Sequence, residues 1–245
     1  WPLTPAALTG TALLLIGVLT KLGSLGVHIW LPGAYAEAED ETSALFSAVF
    51  SKAPLILLGA IVAAGAAALG LADGAAAEAV IAAAQGTGET GATGTAGAAA
   101  VTGFAGILQV LSWVGVATAL FGALLAVFQE DVKHLLAYSS MSQLGYVLLA
   151  FSMASHLGWV TGLYIAAIHF VFKGMLFLGL AGVFLRAGTR QMHELGGLIK
   201  KMPITYISVL MAIIALSGVP PLAGFGGKWL LYTALMEQGW YIRAT

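Results

Sequence analysis

"LSGVPPLAGFGGKWLLY", residues 216–232, sets two prolines and four glycines around Lys228 inside a stretch that is otherwise apolar. Gly218, Pro220, Pro221, Gly224, Gly226 and Gly227 cannot carry a continuous helix, because proline removes a backbone donor and its ring clashes with the preceding turn. Non-helical backbone survives at membrane depth only where protein buries it or where it lines a wet cavity. Whether that constraint applies depends on the rest of the chain. Hydrophobic residues make up 60% of the 245 and charged residues 9%, with a mean hydropathy of +0.95. Soluble domains carry about 25% charged residues. The composition therefore specifies a polytopic membrane protein, and the break places Lys228 at a wet cavity within it.

Apolar runs of about 20 residues, enough for ~30 Å of hydrocarbon, fall at 6–31, 43–71, 100–128, 134–153, 159–185 and 203–240. The expected fold class is all-α integral membrane, a polytopic bundle of about six transmembrane helices in a single domain over 1–245. Residues 72–99 read as an extramembrane loop, since "AQGTGETGATGTAGAAA" (84–100) is rich in Gly, Thr and Ala and lacks apolar periodicity. The chain opens on Trp1 with no basic leader before its first apolar run, so a segment of a longer protein is expected. Arg186, Arg190, Lys200 and Lys201 gather between the fifth and sixth spans, which makes that loop cytoplasmic. By parity the segments 32–42 and 129–133 share that side. The acidic run Glu37, Glu39, Asp40, Glu41 does not oppose this, because acidic residues weigh little in the rule.

The ten basic and eleven acidic side chains nearly cancel, which leaves no basic surface for nucleic acid. The absence of cysteine removes disulfides, thiolate metal sites and cysteine-ligated iron–sulfur clusters. Neither a dinucleotide fingerprint nor a P-loop is present. No cofactor is expected in this chain, and any redox or ATP chemistry belongs to another one.

Four of the ten Lys and Arg residues, Lys21, Lys52, Lys173 and Lys228, lie within apolar spans, joined by His28 and His169. Each lysine near the bilayer centre costs about 2.5–3.5 kcal/mol, so the default reading is an ion path. In "AAIHFVFKGMLFL" (166–178), His169 and Lys173 stand at i and i+4, one turn apart on one helix face. Two cations that close are costly to protonate together, which suits proton exchange; for His169 alone an interhelical hydrogen bond is the alternative. Lys52, early in its span and followed by Pro54, also admits snorkelling to the interface. Lys133 sits beside Glu130 and Asp131 and reads either as a juxtamembrane ion pair or as a proton relay. "AYSSMSQLGY" (137–146) then offers Tyr138, Ser139, Ser140, Ser142, Gln143 and Tyr146, which either order water along a helix face or bond between helices.

"TKLGSLGVHIWLPGAY" (20–35) echoes the opening stretch. Lys21 precedes Gly23 and Gly26, and Trp30-Leu31 follow as Trp229-Leu230 follow the later glycines. Interrupted helices at corresponding positions of two halves mark ion sites in inverted-repeat transporters.

Taken together, "HIWLPGAYAEA" (28–38), "FQEDVKHLLAYSSMSQLGY" (128–146), "HFVFKGMLFL" (169–178), "MHELGGLIKKMP" (192–203) and "SGVPPLAGFGGKWLL" (217–231) resemble the antiporter-like membrane subunits of respiratory complex I, membrane-bound hydrogenases and Mrp-type sodium/proton antiporters. The resemblance implies part of a larger inverted-repeat fold with broken helices. It implies that Lys21 and Lys228 are the ionisable residues of the two broken helices, that Lys52 lies on the next helix, and that His169 and Lys173 link two half-channels. His28, Lys133, Tyr138, Ser139 and Ser142 are secondary candidates for the same path. The implied activity is proton translocation in a redox-driven complex, from the cytoplasmic side along Lys52, His169, Lys173, Lys228 and bound water. Flavin, iron–sulfur clusters and quinone would reside in partner subunits, and the setting is a bacterial or archaeal cell membrane. Sodium/proton exchange in an Mrp-like assembly and a purely structural membrane subunit are the rival expectations. Two departures stand out: the glutamate that pairs with the first broken-helix lysine lies on an earlier helix outside this chain, and "EDET" (39–42) replaces the family's usual Pro-Thr-Pro-Val.

Overall fold

The computed structural model describes residues 5–68 and 95–239. Its elements are α1 (Pro5–Leu22), α2 (Trp30–Glu37), α3 (Asp40–Leu45), a π turn (Phe46–Phe50), α4 (Ala53–Ala68), α5 (Thr95–Val127), α6 (Val132–Ser152), α7 (His156–Ala187), a 3-10 turn (Met192–Glu194), α8 (Leu198–Lys201), α9 (Pro203–Ser217) and α10 (Ala223–Glu237). The molecule is all-helical and membrane-integral in character. Four stretches are long and apolar enough to cross a bilayer: Asp40–Ala67, Gly103–Val127, Val132–Ser152 and His156–Ala187.

The first and last expected spans are each split into two shorter helices, α1 with α2 and α9 with α10. Gly23, Gly26 and Gly218 take φ of +67°, +97° and +79°, a left-handed geometry that glycine adopts without steric cost and that ends α1 and α9. The loop expected over 72–99 falls mostly outside the described residues. Its final residues, from Thr95 on, already belong to α5, because an alanine-rich run is the least costly sequence to hold in a helix.

A second interruption arises at Pro54. An α-helix there would need a donor from residue 54 to the Phe50 carbonyl, which proline lacks, and the ring would press on that carbonyl. The chain widens instead: Ser51 N donates to Phe46 O at 3.1 Å across a π turn, and α4 starts afresh at Ala53.

α6 is the central helix. It packs against α2, α4, α5 and α7, with backbones in near contact along α5: a Cβ built on Gly145 would lie 2.5 Å from the Ala119 nitrogen. Small residues at such crossings supply the van der Waals contact that holds helices together in lipid. Large apolar side chains such as Leu13, Ile56, Val110 and Ile204 are exposed on the outside of the bundle.

The buried apolar side chains form two clusters. One contains Val18, Leu22, Leu55, Leu58, Leu144, Val147, Leu148, Phe151, Ile165 and Leu231. The other contains Leu31, Tyr35, Ala44, Leu136, Met141, Leu176, Phe177, Phe184 and Ala212. The changeover comes between Leu22 and Leu31 at the first break, Ala44 and Leu55 around the π turn, Met141 and Leu144 in α6, Ile165 and Leu176 in α7, and Ala212 and Leu231 at the second break, whereas α5 contributes to the first cluster alone. A polar belt thus crosses the bundle at mid-depth, and both helix breaks lie in it.

At one end the segments predicted to share a side are joined. Val132 N donates to Arg190 O at 3.2 Å and Met192 N to Glu130 O at 3.0 Å. Arg190 donates to Ala36 O at 3.1 Å, and buried Lys133 forms an ion pair with Asp40. The residues 36–40, 130–133 and 190–192 therefore meet, as parity of the spans requires.

Candidate functional site

The centre of the belt is Lys52, carried just after the π turn. Its ammonium has three N–H groups and meets three acceptors: the Ser47 carbonyl, the Ser51 hydroxyl at 2.9 Å and His169 Nδ1 at 2.9 Å. With Lys52 protonated, His169 Nδ1 must accept. The ring proton then resides on Nε2, a buried atom without a partner among the described residues. With Lys52 neutral, the same contact reverses and Nδ1–H donates to the amine. The pair thus shares one proton between two stable arrangements.

Lys173, one turn from His169, is fully buried and donates to Leu136 O and Ser139 Oγ, each at 2.7 Å. Two acceptors satisfy both N–H groups of a neutral amine, whereas an ammonium would keep a third donor to place. Lys52, His169 and Lys173 are close enough to act on one another electrostatically, so charge on one is costly to the others.

On the other side of His169 lies a cavity of about 10 Å³, lined by Gln143, Tyr146, His169, Gly224 and Lys228. That is roughly the space one water occupies, and such a site holds water when it offers two to four polar partners. Lys228 donates to Ser217 O at 2.9 Å and lies 5.8 Å from the centre of the Tyr146 ring. The cation beside the break therefore sits on a free carbonyl at the C-terminus of α9, where the helix dipole favours positive charge. Gly224 is needed at this point, since a Cβ there would fall 1.7 Å from the Ala215 carbonyl oxygen.

Lys21 ends α1 and is exposed, and it lines a larger cavity of about 550 Å³ with Thr20, Trp30, Tyr35, Phe46 and Ser51. At this first break the Thr20 carbonyl accepts from Gly23 N at 3.1 Å and also from the Trp30 indole N–H at 2.8 Å. The two breaks are thus capped by different side chains, and the matching Trp-Leu pairs do not play matching parts.

Among the secondary candidates, Ser139 reaches Lys173, whereas Ser142 donates to Ala119 O at 2.8 Å across to α5 and Tyr138 packs against the second apolar cluster. Lys133 is paired with Asp40, not with its sequence neighbours; Asp131 instead caps α6 by accepting from Lys133 N at 2.7 Å and His134 N at 3.3 Å. His28 stands in the first break, its Nδ1 buried without a partner among the described residues. Tyr35, Ser47 and Ser51 were not foreseen as part of this site. Ser43, Ser47 and Ser51 recur every fourth residue, and that polar stripe on a helix otherwise apolar was the signal.

The pattern of the family described as NADH:quinone oxidoreductase/Mrp antiporter, TM, matches residues 2–83 and 97–245. The chain belongs to this family. It is 28% identical to NADH-quinone oxidoreductase subunit N of Desulforudis audaxviator (strain MP104C), over 98% of this chain and 41% of that protein. It is 30% identical to formate hydrogenlyase subunit 3 of Escherichia coli (strain K12), over 93% of this chain and 34% of that one. Its fold superposes with a TM-score of 0.80 on a chain of the Mrp complex from Dietzia sp. DQ12-45-1b, at 26% identity, covering 99% of this chain and 39% of that one. The chain therefore spans about two-fifths of the length of such relatives or less.

Proposed function

We propose that this chain is the central portion of a proton-translocating membrane subunit, and that Lys21, Lys52, His169, Lys173 and Lys228 carry the proton along the mid-depth belt. The observation that carries the reading is the Lys52–His169 contact at 2.9 Å, with the second ring nitrogen buried and unpartnered among the described residues and the ring lining the small cavity that Lys228 also lines. A proton arriving at Lys52 raises the cost of charge at Lys173, and the imidazole offers an exit toward Lys228 through one water. In this reading the fragment belongs to the larger inverted-repeat fold of about six spans here, with protons moving outward from the cytoplasmic side. The driving event occurs in partner membrane subunits of a redox complex, which would hold flavin, iron–sulfur clusters and quinone in a bacterial or archaeal cell membrane.

The test is Lys173→Met in the full-length subunit within its native complex, reconstituted in sealed vesicles with a pH-sensitive dye. Proton translocation is expected to fall to background while the complex still assembles. Unchanged flux would leave only a structural role for the subunit.

The likeness to the Mrp complex favours a second reading, sodium/proton exchange without a redox partner. Among the described residues no carboxylate pairs with Lys52, His169, Lys173 or Lys228, and a row of amines repels sodium. Purifying the parent complex in mild detergent decides between the two: flavin and iron–sulfur spectra support the redox assembly, and their absence supports the antiporter.

A further inference from the structure

The wide cavity at Lys21 and the buried amine of Lys52 are separated by one layer of side chains. Lys52 does not line the cavity, but Ser51 does, and its hydroxyl is 2.9 Å from Lys52 Nζ. Ser51 also donates to Ser47 O at 2.7 Å, the same carbonyl that Lys52 uses. Tyr35 lines the same cavity beside Ser51. The Tyr35 ring is held in place: it is 2% exposed, lies edge-on to Phe177 at 6.1 Å and stacks on Phe46 at 6.4 Å, and its carbonyl accepts from Ser43 Oγ at 2.8 Å. Ser47 continues inward to Ser140, the two hydroxyls being 3.0 Å apart. A run of hydroxyls therefore begins at the cavity and ends on Lys52, with ring packing that fixes its outer member.

We propose that Ser51 is the proton-transfer group between the Lys21 cavity and Lys52, and that Tyr35 is the positioning residue that orients the Ser51 hydroxyl. The proposal rests on the proton-conducting reading given above. In the inward step, once His169 has passed its proton on and the neutral Lys52 amine has turned its lone pair to Ser51, a protonated water in the cavity gives its proton to Ser51 Oγ as the original Ser51 proton passes to Lys52. One O–H bond breaks on the water and one on Ser51, while one O–H forms on Ser51 and one N–H on Lys52. Ser51 is again a neutral hydroxyl and Lys52 an ammonium. Resetting requires only rotation of the Ser51 hydroxyl from the cavity, where it receives a proton, to Lys52, where it gives one, with the Ser47 carbonyl as the resting acceptor. Tyr35, its ring held by packing, borders the cavity beside Ser51 and is the group that would steer that rotation. A cavity of this size admits water freely, whereas sodium finds no carboxylate among the described residues that line it and no direct path to Lys52 through a single hydroxyl. The hydroxyl wall thus selects for protons.

The experiment uses the full-length subunit in its native complex, in sealed vesicles, with the variants Ser51→Ala, Ser51→Thr, Tyr35→Phe and Lys52→Met. Translocation rate, complex assembly and the ratio of rates in H₂O and D₂O are read for each. Ser51→Ala is expected to slow translocation by about tenfold or more, below the range typical of a lost general acid–base group because water can partly substitute. Ser51→Thr keeps the hydroxyl and is expected to restore the rate to within about twofold. Tyr35→Phe keeps the ring packing and is expected to slow translocation severalfold and to raise the isotope ratio, which a merely structural loss would leave unchanged. If Ser51→Ala prevents assembly, Tyr35→Phe and Ser51→Thr carry the test. Wild-type rates and isotope ratios in Ser51→Ala and Tyr35→Phe, with Lys52→Met inactive, would overturn this inference and leave the pathway standing. A wild-type rate in Lys52→Met as well would overturn the pathway itself.

Discussion

Neutralising Asp40 should destabilise the protein far more than the loss of a surface carboxylate would. Lys133 is 1% exposed and its ammonium meets only the Asp40 carboxylate and the Ala38 carbonyl, the latter at 2.8 Å. Asp40→Asn leaves a buried cation with a neutral neighbour. Breaking a fully buried pair costs about 3–5 kcal/mol and an exposed one about 0–1 kcal/mol; the Asp40 side chain is 21% exposed, which places the expected loss at about 2–3 kcal/mol. Lys133→Met should cost less, about 1 kcal/mol, since Asp40 keeps solvent and the Arg190 guanidinium at 3.9 Å. The double variant removes both charges and should resemble Lys133→Met alone, giving a coupling of about 2 kcal/mol. The assay is reversible unfolding of the full-length subunit in mixed detergent micelles, followed by tryptophan fluorescence, on the four members of the cycle. Additivity within about 0.5 kcal/mol would refute the ion pair as the support of buried Lys133.

Two further outcomes follow from backbone contacts. Gly224→Ala puts a methyl group 1.7 Å from the Ala215 carbonyl oxygen, so α9 and α10 must move apart; the subunit should fail to accumulate in the membrane, as judged by immunoblot, while Gly174→Ala, whose position is open, should accumulate normally. Gly145→Val should separate α5 from α6 and cost about 1–3 kcal/mol or more in the same unfolding assay, as overpacking of a close crossing does.

The helix breaks were legible because glycine and proline act through the backbone alone, whatever packs around them. His169 and Lys173 were legible together because a four-residue spacing fixes a shared face. Lys133 shows where that kind of reading ends. Its acidic neighbours Glu130 and Asp131 looked like the natural partners, yet Asp40 lies 93 positions away and only the fold brings it near, through the very segment where "EDET" departs from the family. The role of Lys228 was half visible: the break predicted a polar site, but not that the amine would settle on the Ser217 carbonyl. Tyr35, Ser47 and Ser51 were hidden for another reason. Serine is common on membrane helices as a bond to the preceding turn, so the four-residue recurrence of Ser43, Ser47 and Ser51 marks a shared face without showing that the face meets a lysine.

The π turn at Phe46–Phe50 makes the count of residues matter here as much as their kind. An α-helix advances about 100° per residue, and the π turn already holds one residue more than a regular turn, so inserting another between Phe46 and Lys52 would turn everything before it by about that angle relative to α4. Ser47 and Lys52 would then no longer share a side, and the polar stripe would face lipid at one end and protein at the other. Homologous chains should therefore tolerate exchanges of side chain in this turn more readily than an added residue.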